Sequence, residues 1–316
     1  SVVNSGSVLG RTGAGVALDG RGSVTNSGTI SGATEGVHLL RRGTVTNSGS
    51  ISGQTALGLD AGGTVTNSGL LLGSAFGIRS MGSASVFNSG TISGTQWAIE
   101  FGAGDDVLTL RTGSVLNGPV EGAGGTDTIF LEGVGSEDSL FQNFERLVMQ
   151  GTEWTLGGTI AVGALEVQSG LLSVTGLVAG MTTVTGGTLN LGGTLAGAAL
   201  VAPGGLLEGI GSTGSLESRG TVSPGNSIGT LTVNGDFTSQ PGATLRIEVN
   251  DAGASDRLAV TGTATLNGGT VQVIPDQGAT GAERDYTILT AAGGVAGTFS
   301  SLVEEFPFLD HRLTYL

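Results

Sequence analysis

Two stretches of this sequence place glycine and aspartate in the order that calcium-binding loops use. Gly122-Ala123-Gly124-Gly125-Thr126-Asp127-Thr128-Ile129-Phe130 matches most of the nonapeptide G-G-x-G-x-D-x-U-x, and Phe101 to Thr109 matches it in part through Gly102, Gly104, Asp106 and Leu108. Calcium takes about six to eight oxygen ligands, gathered in calcium rolls from adjacent nine-residue turns. Here Asp106 and Asp127 stand 21 residues apart, with no second nonapeptide beside either. The expected role of both is therefore to accept backbone N–H groups in glycine corners, with calcium as a weak candidate.

Other chemistry is thinly supplied. The histidines are His38 and His311, and a Ser/His/Asp set would have to use one of them. His38 alternates with Val37 and Leu39 and is expected to face solvent; His311 lies at the extreme end; no G-x-S-x-G elbow is expected in the chain. Asp105, Asp106, Asp127, Glu132, Glu137 and Asp138 are carboxylates of the kind that cleave polysaccharides, but the chain has no lysine to accompany them. Phe76 and Trp97, also 21 apart, share strand parity with Ile78 and Ile99 and so are expected to stack inside rather than form a sugar platform. The expectation is a chain that is not an enzyme and carries no cofactor.

Composition narrows the rest. Without cysteine there is neither a disulfide framework nor a thiolate metal site. A formal charge of −14 repels phosphate backbones, which argues against a nucleic-acid partner. No run approaches the ~20 apolar residues of a membrane-spanning helix. Ser1 does not read as a natural start, so the chain is expected to be an excised piece with any export signal upstream. With 61 glycines and few aromatics, short strands and tight turns are favoured, and Glu137 to Met149 is the one plausible helix.

A repeat organises these residues. V-x-N-S-G recurs with its asparagines at Asn4, Asn26, Asn47, Asn67 and Asn88, spaced 22, 21, 20 and 21. Each is followed by a second phrase such as Thr29-Ile30-Ser31-Gly32 and a third apolar pair such as Val37/Leu39. Three alternating strands in about 21 residues make one coil of a right-handed parallel β-helix. Asparagine and glycine tolerate left-handed corners, and stacked amides can form a ladder. From Trp154 to Leu207 the units shorten to 17 and 18 residues, and beyond Gly220 they become irregular.

Thr221-Val222-Ser223-Pro224-Gly225-Asn226-Ser227-Ile228-Gly229-Thr230-Leu231-Thr232-Val233-Asn234-Gly235 resembles a segment of bacterial autotransporter passengers, with Pro224, Gly225, Asn226 and Gly229 at its structural corner. Ser255 to Gly262, Leu266 to Val271, Tyr286 to Leu289 and Phe141 to Leu147 resemble further phrases of that family. The resemblance implies β-helix coils over residues 1–220 and a capping, autochaperone-like module over 221–316. It also implies export through an outer-membrane β-barrel of the same polypeptide, with Leu316 read as ending about where the linker to it would begin. Adhesion to host cells or matrix, or self-association at the bacterial surface, is the implied function. A stalk displaying an upstream domain is the alternative, and protease members of the family carry their catalytic domain upstream of the helix.

Overall fold

The computed structural model describes residues 1–275, 284–304 and 312–315, and every regular element among them is a β-strand. The parallel all-β solenoid expected from the repeat is the fold observed. It divides into two compact units, Ser1–Gly163 and Ala164–Leu316.

In the first unit, each coil lays its strands in register on the next. Val24, Val45, Val65, Val86, Leu108, Ile129 and Leu147 form one inward file, partner to partner. Ile30, Ile51, Leu71, Ile92 and Leu116 form a second. Val37, Leu57, Ile78, Ile99, Val120 and Phe141 form the third. Nearly all of these side chains are fully buried. Period-two alternation points each one inward, and each contributes about 1.5–3 kcal/mol by leaving water.

The helix expected within Glu137 to Met149 is instead mostly the strand Phe141–Met149. Phe141 and Gln142 pair with Val120 and Glu121, while Arg146 to Met149 pair with Thr128 to Leu131. Asn143, at φ 58°, turns the chain between the two pairings. That corner spaces the buried Phe141, Phe144 and Leu147 three apart, which mimics helical periodicity in the sequence. Phe144 packs edge-on against Phe101 and Phe141, at 6.2 and 6.5 Å between ring centroids.

The second unit repeats the scheme with different coil lengths. Leu172, Leu189, Leu207, Val222, Leu245 and Val271 form one inward file. The ladder runs on through Gly220, with Thr213 paired to Val233 and Val233 to Val260. Where the file through Val167, Val184 and Val201 reaches Ser218 and Ser239, the buried hydroxyls bond the carbonyls of Gly220 and Gly268.

Candidate functional site

The asparagines of the repeat point inward and form a continuous amide chain. Asn4 Nδ2 donates to Asn26 Oδ1 at 2.7 Å, Asn26 to Asn47 at 2.8 Å, Asn47 to Asn67 at 2.9 Å and Asn67 to Asn88 at 2.8 Å. Asn88 ends the chain on Ser114 Oγ at 2.7 Å. Each amide also bonds the carbonyl two residues on, as in Asn47 to Gly49 at 3.2 Å. No asparagine or glycine of the Asn-Ser-Gly phrase adopts positive φ, which corrects the left-handed corner expected there. The glycine is required by close approach: a Cβ on Gly49 would collide with the Gly28 carbonyl of the preceding coil.

Asp106 and Asp127 occupy the corner before a strand and are wholly buried. Asp106 Oδ1 accepts the Ala84 N–H at 2.5 Å, Asp127 Oδ1 accepts the Asp106 N–H at 2.8 Å, and Glu145 Oε2 accepts the Asp127 N–H at 2.5 Å. The second oxygen of each aspartate is buried without a hydrogen-bond partner. Burial pushes the Asp106 carboxyl up to about 7 and Asp127 to about 6, against the pull of those N–H bonds. Among the described residues, no three His, Cys, Asp or Glu side chains are grouped so as to hold a metal ion. Glu137, elsewhere in this unit, borders a recess with Asn117, Asp138 and Thr155. Its Oε2 accepts the Ser139 hydroxyl at 3.2 Å, and burial raises its carboxyl to about 8.

His38 is on the outer side of its strand but is not loose in solvent. Its Nδ1 lies 3.1 Å from Glu35 Oε2 and its Nε2 3.1 Å from Asp60 Oδ1 on the next coil; the second contact lacks hydrogen-bond alignment. Burial raises the Glu35 carboxyl against the attraction of His38. His311 lies outside the described residues. Phe76 and Trp97 pair in register, yet both are only partly buried, so the pair is not fully internal as expected. A register shift between Gly73 and Phe76 turns the chain there, and the Arg79 guanidinium lies 4.9 Å above the Phe76 ring. Glu132, among the acidic candidates, is held by Arg111 at 2.9 Å.

In the second unit, the Ser223 to Gly229 corner is pinned by one buried carboxylate. Asp256 Oδ1 accepts the Gly229 N–H at 2.9 Å, and Oδ2 accepts the Glu248 N–H at 2.8 Å. Gly225 needs its freedom here, at φ +91°. Pro224 is buried, while Asn226 and Ser227 are exposed beside a groove of about 400 Å³. Arg246 lines it, bonding Ser223 Oγ at 3.1 Å and lying 3.7 Å from Glu208. Gly225-Asn226-Ser227-Ile228-Gly229 also fits the G-x-S-x-G spacing, which the reading of the histidines missed. Its setting is a turn between the strands Thr221–Pro224 and Thr230–Val233, not the strand-to-helix turn of a nucleophile elbow.

No protein-family model matches the chain. It is similar to extracellular serine proteases. One such protein, from Serratia marcescens, is 33% identical over 176 residues, which cover 52% of this chain and 15% of that protein. Another from the same organism is 32% identical over 167 residues, covering 48% of this chain and 16% of its own length. The chain thus matches about one sixth of the length of these relatives. The expectation that the chain is not an enzyme is overturned by this finding, because its relatives are proteases by name.

Proposed function

We propose that the chain is a β-helical passenger segment of a secreted serine protease of the autotransporter type. The observation that carries this reading is the similarity of about half the chain to two extracellular serine proteases, joined to a parallel solenoid of the kind that passengers are built on. The solenoid supplies a stiff support: each coil buries its apolar files only against its neighbours, so the unit resists bending and holds what it carries at a fixed distance. In-frame deletion of residues 1–163 from the gene, followed by assay of serine-protease-inhibitor-sensitive casein hydrolysis in the medium, tests it. Loss of secreted activity is expected. Undiminished activity would overturn the reading.

A second reading, adhesion, is favoured by one surface. Thr25, Thr46 and Thr66 stand exposed in register on consecutive coils, flanked by Ser23, Thr44 and Thr64. Such a hydroxyl array offers many weak contacts at once. Saturable binding of the chain to host cells or matrix proteins, lost when the three exposed threonines are changed to glutamate, would support this role.

A further inference from the structure

Asp106 and Asp127 repeat the asparagine ladder in a form that can ionise. Their carboxylates stack on successive coils of the first unit, each accepting the backbone N–H of the coil before: Ala84 N–H for Asp106 and Asp106 N–H for Asp127. The file ends on Glu145, which accepts the Asp127 N–H. Both aspartates are fully buried, and the Oδ2 atom of each is enclosed without a partner. A buried ionised carboxylate with an unmatched oxygen is costly, and two of them on neighbouring coils also repel.

The charged groups around the pair are mostly acidic. Asp105 precedes Asp106 and binds the Thr126 N–H at 2.9 Å from outside. Asp105 acts on both aspartates, while Glu121 and Glu145 act on Asp127, and each of them resists a further negative charge. Arg146, next along the strand from Glu145, has an exposed side chain. Its backbone N–H bonds the Asp127 carbonyl at 3.1 Å.

We propose that Asp106 and Asp127 form a proton-operated clasp, closed when their carboxyls are neutral and loosened when both ionise, so that the coils from Ala84 to Met149 tighten in mildly acidic surroundings. The ligand is the proton. The raised folded-state values give the sign: the stabilisation is complete below the ordinary carboxyl value of 3.8 and is lost as pH rises through about 6 to about 7. The rest of the solenoid, joined by the neutral amides of Asn26 to Asn88, has no such dependence at the equivalent contacts.

Amide hydrogen exchange of the whole chain at about pH 5 and about pH 8, corrected for intrinsic rates, tests the clasp. Protection of the Ala84, Asp106 and Asp127 amides is expected to fall by roughly tenfold or more, because a tenfold change in proton affinity on folding changes the stability of the closed form by the same factor. The amides bonded between Thr25 and Thr66 should hold their protection. In the D106N/D127N variant, whose Oδ1 atoms still accept the backbone N–H groups, the drop should shrink to what the Glu137 carboxyl alone produces. An equal drop in the variant, or a uniform drop along the chain, would overturn the proposal. So would restoration of protection at about pH 8 by millimolar calcium, which would make the corner a cation site. Should the double variant not fold, D106N alone serves, with half the effect or more expected to go.

Discussion

The side-chain amide of Asn47 donates to Asn67 Oδ1 at 2.9 Å across one coil of the solenoid, while its own Oδ1 accepts from Asn26 at 2.8 Å. Both residues are almost wholly buried. The coils are thus joined inside by amides as well as by apolar packing, and this pairing sets the first prediction.

Asn47→Ala removes the buried Oδ1 to which Asn26 donates and the amide that donates to Asn67 Oδ1 and to the Gly49 and Leu70 carbonyls. Asn26 keeps the Gly28 and Ser50 carbonyls, and Gly49 keeps the Leu70 N–H. A loss of about 2–4 kcal/mol is expected, from about 1–3 kcal/mol per buried unsatisfied group. Thr46→Ala, one residue earlier but exposed, should change stability by no more than about 0.5 kcal/mol. Urea unfolding of the two variants measures the contrast.

Gly49→Ala should destabilise although the φ there is ordinary for any residue. The added methyl meets the Gly28 carbonyl, so the coils must part, at a cost of about 1–3 kcal/mol, the range for overpacked sites. Gly6→Ala has open space around the same methyl and should be tolerated. Thermal melts of both variants decide whether close approach is the reason for glycine in this phrase.

Glu137 makes a pH-dependent contribution. Its folded carboxyl is raised from 4.5 to about 8 by burial, so its stabilising share is complete below about 4.5 and disappears as pH rises through about 8. Glu137→Gln should flatten the stability curve over that window, most visibly by raising the melting temperature above about pH 8. An unchanged difference between about pH 5 and about pH 9 would contradict the role given to burial.

Asp256→Ala removes the acceptor for two backbone N–H groups and should release the Pro224–Gly229 corner at about 2–4 kcal/mol. Asp256→Asn keeps one acceptor but turns an NH2 donor toward the other backbone N–H, so it should recover only part of that loss. Protease nicking near Asn226, followed by mass spectrometry, reports the release locally.

The fold was legible because one phrase, repeated about every 21 residues, carries the strand, the corner and the buried amide together: Val24 and Asn26 repeat at Val45 and Asn47 and sit in register. The glycine was legible as necessary but for the wrong reason, since a carbonyl on the neighbouring coil is invisible to local backbone preference. Phe76 and Trp97 misled because parity was carried across a corner that the sequence does not mark. Asn143 did the same within the strand Phe141–Met149 and made it look helical. The acids at Asp106 and Asp127 could be placed as acceptors of N–H groups, but the enclosure of their second oxygens is set by three-dimensional packing that the local sequence does not mark. The link to proteases lay in similarity to a stretch of about one sixth of two such proteins, and no single residue type in this chain carries it.

Membership in a secreted protease is best tested with antibodies raised against the purified chain. They would recover the secreted polypeptide that contains it, and that polypeptide would be treated with a fluorophosphonate probe that labels active serines. The recovered polypeptide is expected to take the label and to hydrolyse casein. A recovered polypeptide that does neither would contradict the protease reading and return the solenoid to a purely adhesive role.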